Sequence, residues 1–194
     1  MYKRCTIPKA ISRQRQLQLC LLFHLQQHPL SEITVSSLCR DTGLPRRTFY
    51  SLFDSKEDVL CALIDQTLLE YADYQPSEQR DEGGLPKELI RFFSFWQEQR
   101  LLLDALNKNQ CSAMLTDRII SHIAQEEYNI LRIFGADGQE NSDDILLFCL
   151  SGIMGLVINW HRTNHQKTVT QMSAIMYQQL TTSLVCFYNQ EQKL

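Results

Sequence analysis

Residues 34–56 read Thr-Val-Ser-Ser-Leu-Cys-Arg-Asp-Thr-Gly-Leu-Pro-Arg-Arg-Thr-Phe-Tyr-Ser-Leu-Phe-Asp-Ser-Lys, and this stretch decides the fold. Thr34 carries a hydroxyl suited to capping a helix over about 35–42, and Gly43 supplies the left-handed turn that ends it. Pro45 fixes φ at a value suited to the first turn of a second helix, about 45–52. That second helix presents Arg46, Arg47, Thr48 and Tyr50, with Lys56 just beyond its end. Two short helices joined at a glycine, the second beginning with paired guanidinium groups, form a helix-turn-helix pattern whose second helix fits a major groove of DNA.

Helical signals extend outward from this core in both directions. A first helix, about 10–28, carries Leu17, Cys20, Leu21, His24 and Leu25 at helical spacing and stops at Pro29. Ser55 with Asp58 reads as a capping box opening a helix to about Tyr74, with Leu60, Leu63, Ile64, Thr67 and Tyr71 as its buried stripe. Residues 75–86 form a polar connector containing glycine and proline. Four further helices are expected at about 87–107, 112–134, 143–164 and 169–190, the last capped by Thr168 and Gln171. All five prolines fall at helix edges or in connections, and no segment alternates as a strand would. The fold class is therefore all-α.

Charge divides the chain. Residues 1–52 hold eight Lys/Arg against two acidic residues, a net +6, whereas the remainder holds eleven against twenty, a net −9. A basic head is drawn to a polyanion and an acidic body is repelled, so the field orients the molecule. The seven cysteines are scattered without Cys-x-x-Cys spacing, as expected for free thiols in a reducing cytoplasm. The longest apolar stretch, about 145–160, is too short and too interrupted to span a membrane. A soluble cytoplasmic protein with no membrane partner is expected. His122, His161 and His165 lack metal-binding spacing, and no nucleophile–base set or phosphate-cradling glycine loop is present. No metal, cofactor or enzyme activity is expected.

Thr34, Val35, Leu38, Gly43, Thr48, Tyr50, Phe53, Lys56, Leu60 and Leu63 together resemble the TetR/AcrR family of transcriptional regulators. The resemblance is specific over about 30–65; the C-terminal two-thirds agrees only in helical layout. It implies a three-helix DNA-binding head (residues 1–55) and a helical regulatory and dimerisation body (residues 56–194), the homodimer forming through the last two helices. The chain differs from the family pattern at Pro29, Pro45 and Arg47.

The DNA-facing candidates are Thr34, Ser36, Arg46, Arg47, Thr48, Tyr50 and Lys56. Arg46 and Arg47 offer paired donors matching guanine O6 and N7, or else neutralise phosphates. The resemblance implies phosphate contacts for Tyr50 and Lys56; Thr48 either approaches the DNA backbone or caps locally. Lys3, Arg4, Lys9, Arg13 and Arg15 read as a groove-reaching arm or as a solvated tail.

For a small molecule the candidates are Phe92, Phe93, Trp96, Leu103, Met114 and Phe148, with Ile119, Ile123 and Tyr128 nearby. An aromatic stripe at helical spacing reads as core for any single residue, while a sensor pocket in this region would be mainly apolar. Gly152 and Gly155 imply close approach of another helix, at a dimer seam or within the subunit. The expected function is a ligand-responsive regulator binding a palindromic operator in double-stranded DNA as a homodimer, its effector an apolar or amphipathic small molecule. Repression is the commoner mode in the family. The alternative is a helix-turn-helix-derived coactivator or partner-binding protein acting through protein contacts.

Overall fold

The computed structural model describes residues 6–76, 87–125 and 142–179, and every regular element among them is a helix. In chain order these are α1 (Pro8–Gln27), α2 (Val35–Thr42), α3 (Arg46–Leu52), α4 (Lys56–Asp73), α5 (Lys87–Glu98), α6 (Arg100–Lys108), α7 (Ser112–Gln125) and α8 (Ser142–Arg162). A further helix, α9, covers 169–179. The expected continuations to 134 and 190, most of the 75–86 connector, and the side chains of Lys3, Arg4, Ile123 and Tyr128 lie outside the described residues.

The described residues fall into two compact units. One takes α1 to α4, α6 from Leu101, and α7 as far as Arg118; the other takes α5, the remainder of α7, α8 and α9.

In the first unit α1 packs on α4 and α2, and α2 packs on α3. Leu17, Leu21 and Leu25 recur every four residues along α1 and are buried, with Gln14 and Gln18 beside them. Ile33, Leu38, Phe49, Leu52 and Phe53 are buried as well, together with Val59, Leu60, Leu63 and Ile64 of α4. Each such side chain contributes on the order of 1.5–3 kcal/mol by leaving water. Local chemistry sets the ends. The Ser37 N–H donates to Thr34 Oγ1 at 3.1 Å and the Thr34 N–H donates to Ser37 Oγ at 3.2 Å, a reciprocal cap on α2. Gly43 then turns with φ 68°, a conformation that costs a residue with Cβ about 1–2 kcal/mol.

Two sequence expectations, on Pro45 and on the helix over 87–107, are corrected here. Pro45 is the N-cap of α3 rather than its first helical residue, because its ψ of 144° is extended. At the start of α4, the Asp58 N–H donates to Ser55 Oγ at 3.1 Å, as the sequence leads one to expect, and the Asp58 carboxylate accepts from the Asp54 N–H at 3.3 Å. The single helix expected over 87–107 is two helices: the Gln99 N–H bonds to the Trp96 carbonyl at 3.3 Å, one residue short of an α-helical bond. The break lies where the chain passes from one compact unit to the other.

In the second unit, α5 buries Leu89, Phe93, Phe95 and Trp96. Helix α8 buries Leu150, Ile153, Met154, Val157 and Trp160, a stripe of i, i+3, i+4 and i+7 spacing. Phe93 meets the Trp160 ring edge-on at 5.6 Å, and the Trp160 indole N–H donates to the Lys167 carbonyl at 2.8 Å. The expected cap on α9 is present: the Thr168 N–H donates to Gln171 Oε1 at 2.9 Å, and the Gln171 N–H donates to Thr168 Oγ1 at 3.2 Å.

Candidate nucleic-acid interface

Helix α3 is only seven residues long, so its orientation depends on its buried side. Phe49 and Leu52, with Phe53 at its C-cap, are buried, and Phe49 packs 5.9 Å from the Phe53 ring. The opposite side carries Arg46, Arg47 and Tyr50, all exposed, with Thr48 half-buried between the two faces. Tyr50 is anchored edge-on against Phe49 at 5.4 Å while 45% of it remains exposed. The Arg46 guanidinium lies along Tyr50, 6.0 Å from the ring centroid and with Nη2 3.5 Å from the hydroxyl. That contact is at the outer limit for a hydrogen bond, so Arg46 is steered without being tied down. The result is a solvent-facing pair of guanidinium groups and a phenol on a fixed apolar footing.

Helix α2 is held from α1. His24 Nε2 lies 2.8 Å from Asp41 Oδ2, and Gln16 Nε2 donates to the Thr42 carbonyl at 2.9 Å. The Arg40 guanidinium and then His24 hold the Asp41 carboxyl below its ordinary range. These positioning contacts are absent from the sequence-derived set, since residues 17 to 26 apart carry no spacing signal. Thr34 and Ser36 are exposed, but the Thr34 hydroxyl is already engaged in the α2 cap.

Lys56 stands apart from the other candidates. Its ammonium donates to the carbonyls of Leu30 at 2.6 Å, Ile33 at 2.8 Å and Ser31 at 3.3 Å. An ammonium has three protons, and three acceptors from the α1–α2 turn take them.

The small-molecule candidates fall in both units. Phe92, Phe93, Trp96 and Phe148 belong to the second unit, Leu103 and Met114 to the first. Phe92 stands edge-on to Phe93 at 5.3 Å and to Trp96 at 6.3 Å, and Phe93 and Trp96 are buried in that packing. Leu103 is buried and Met114 half-buried within the first unit. Phe148 is 81% exposed and so lines no enclosed space.

Burial raises the thiol pKa values of Cys20, Cys39, Cys61, Cys111 and Cys149, which keeps them protonated at neutral pH. Among the described residues no helix is long and apolar enough to cross a membrane. No group of three His, Cys, Asp or Glu side chains there is placed to hold a metal.

No protein-family model matches the chain. Over 44 residues, 23% of its length, it is 43% identical to the HTH-type transcriptional regulator EthR of Mycobacterium tuberculosis, and equally to that of Mycobacterium bovis. The match spans only 20% of the length of those relatives. Over nearly the whole chain the fold is similar to two solved structures. The fatty acid degradation regulator FadR from Bacillus halodurans has a TM-score of 0.59 at 16% identity, over 91% of this chain and 96% of that one. A tetR-family transcriptional regulator from Streptomyces coelicolor has a TM-score of 0.52 at 15% identity, over 93% of this chain and 85% of that one.

Proposed function

We propose that this chain, which has the fold of the TetR-family transcriptional regulators, is itself a DNA-binding regulator of transcription. The observation that carries the reading is the exposed Arg46, Arg47 and Tyr50 on α3, set on the buried Phe49, Leu52 and Phe53. A rigid helix with guanidinium groups at its N-terminal end is what direct reading of guanine in a major groove requires. Ser36, Thr48 and Tyr50 supply hydroxyls for phosphate contacts around that helix, while the Thr34 hydroxyl caps α2. The head runs to residue 55 and the remainder regulates it. The protein works in the cytoplasm as a homodimer, each α3 entering one half of a palindromic operator, and represses when bound.

The test is selection of duplexes from a random pool, followed by titration of wild type, Arg46→Ala and Arg47→Ala on single-position variants of the selected site. A base reader loses about 1–3 kcal/mol and discriminates less at one position. Equal loss on every sequence assigns both arginines to phosphates. Failure to select any duplex rejects the DNA reading.

Dimerisation uses α8 and α9. On α8 the exposed surface includes Phe148, Ser151, Gly152 and Gly155, and on α9 it includes Tyr177. Control by an apolar or amphipathic small molecule is the further element of the proposal, centred on Phe92, Trp96 and their aromatic neighbours in the second unit. An effector shifts DNA affinity only by its differential affinity for two states, typically about 1–3 kcal/mol. Compounds found by thermal stabilisation should lose that effect in Trp96→Ala and should change operator affinity in wild type. A compound that stabilises both proteins equally does not occupy this site.

One observation favours the partner-binding alternative. Ile11, Leu19 and Phe23 of α1, with Ile7 at its N-cap, lie on one i, i+4 row that Arg15 interrupts, and all four are exposed, Phe23 by 64%. An exposed apolar row is what a protein-binding helix presents. A wild-type chain that selects no duplex, together with loss of a protein partner in Phe23→Ser, would establish that reading.

A further inference from the structure

The backbone of Leu30, in the turn between α1 and α2, is gripped at its N–H and at its carbonyl, in two successive peptide groups, by side chains that come later in the chain. Its N–H donates to Asn109 Oδ1 at 2.5 Å, and its carbonyl accepts from Lys56 Nζ at 2.6 Å. The Asn109 amide is used at both ends, because Nδ2 donates to the Ala105 carbonyl at 2.8 Å. That second bond settles which end of the amide faces Leu30.

Asn109 is itself held in place by the way α6 stops. The Cys111 N–H donates to the Leu106 carbonyl at 2.8 Å and the Gln110 N–H to the Asn107 carbonyl at 3.2 Å, with Gln110 at φ 56°. This is a Schellman ending in which glutamine occupies the left-handed position usually given to glycine. Two more bonds join the same elements: Gln26 Nε2 donates to the Leu101 carbonyl at 2.9 Å, and Lys108 Nζ to the Gln26 carbonyl at 3.4 Å. All these residues belong to the first compact unit.

We propose that Lys56 and Asn109 are positioning residues for DNA reading, clamping the backbone on either side of the Leu30 Cα so that the turn launches α2 and α3 in the reading orientation. The proposal rests on the DNA-binding reading above and assigns Lys56 a different role from the phosphate contact its family resemblance implies. Two features support it. The Lys56 ammonium must surrender carbonyl partners before it can reach a phosphate. The turn it grips ends at the buried Ile33, directly before the Thr34 cap, so a shift there is passed to α2 without slack.

The experiment uses the full chain and the duplex that wild type selects, titrated over a range of salt concentrations. Asn109→Ala, at the end of α6, should weaken binding about three- to tenfold, the loss expected for one hydrogen bond, with the salt slope unchanged. Asn109→Asp keeps the acceptor and should recover most of the loss. Lys56→Ala should also weaken binding at constant slope, and the double variant should be little worse than the weaker-binding single one, because both act through the backbone of the one residue, Leu30.

A salt slope lower by about one unit in Lys56→Ala makes it a phosphate contact and overturns the proposal. So does normal binding by Asn109→Ala, or full additivity. Amide exchange at Leu30 in the free protein reads the clamp without DNA: protection should fall in Asn109→Ala and Lys56→Ala and persist in Asn109→Asp. Thermal melting of each variant separates a shifted turn from an unfolded head. If wild type selects no duplex, the DNA reading fails first and takes the positioning role with it, while the exchange data still decide whether the clamp exists.

Discussion

Arg118→Ala is expected to destabilise the fold by about 3 kcal/mol, more than the loss of either DNA-facing arginine would. Arg118 on α7 meets Asp65 on α4 through two parallel bonds: Nε donates to Oδ1 at 2.6 Å, and Nη2 donates to Oδ2. The two ends of this pair are unequal. Asp65 is only 6% exposed as a residue, whereas the Arg118 side chain is 35% exposed. Removing the guanidinium strands a carboxylate in the interior without this counter-charge, and water cannot reach it easily. Removing the carboxylate instead leaves a guanidinium that can turn toward solvent, so Asp65→Ala should cost clearly less. Paired replacement by apolar residues of similar volume should cost less than Arg118→Ala alone, because desolvation of both ions is then avoided. Urea unfolding of the three variants checks the order. Equal costs for the two single substitutions would mean that exposure does not govern the pair.

How far such features can be read from sequence depends on the distance over which they act. The α2 helix, Thr34 at its head and Gly43 at its end were legible because capping and left-handed turns involve residues within four positions of one another. The buried stripe of α4 was legible for the same reason, since apolar spacing is local. The break at Gln99 was not: no glycine or proline marks it, and both sides carry good helical stripes, Leu89/Phe93/Trp96 and Leu102/Leu103/Leu106. What divides them is which unit's core each stripe joins, and that is a tertiary matter. Arg118 and Asp65, 53 positions apart, and Asn109 and Leu30, 79 apart, are invisible to any spacing rule. Lys56 shows the limit most clearly. The motif that contains it was recognisable, but the three carbonyls that occupy its ammonium belong to a turn more than twenty residues earlier. Phe148, a candidate to close a pocket, is exposed on α8, and apolar character alone does not tell a core face from a bare one.

Gly152→Leu and Gly155→Leu should act in opposite directions on the subunit and on the dimer. Both glycines are exposed on α8, and a Cβ added at either meets nothing within 4 Å among the described residues. Packing inside the subunit, which the sequence left open as their purpose, therefore does not account for them there. Each glycine costs a helix interior about 1 kcal/mol relative to alanine, and leucine is nearly as good a helix former as alanine. The isolated subunit should thus be as stable as wild type or more so when either is replaced. If α8 meets its symmetry mate closely along Phe148, Ser151, Gly152 and Gly155, the same side chain obstructs that approach. A residue on the axis of a two-fold interface meets its own copy, so one substitution introduces two obstructions. A loss on the order of 2–4 kcal/mol at such a contact weakens association roughly thirty- to a thousandfold. Sedimentation equilibrium over a range of protein concentrations, beside thermal melting at a concentration where wild type is dimeric, reads both effects. Gly152→Ala is the gentler control, raising helix stability while adding only a methyl group. Leucine variants that stay dimeric at micromolar concentration would move the interface off this face. A wild type that is monomeric at every concentration would remove the dimer, and with it the two-fold operator that the proposed regulator requires.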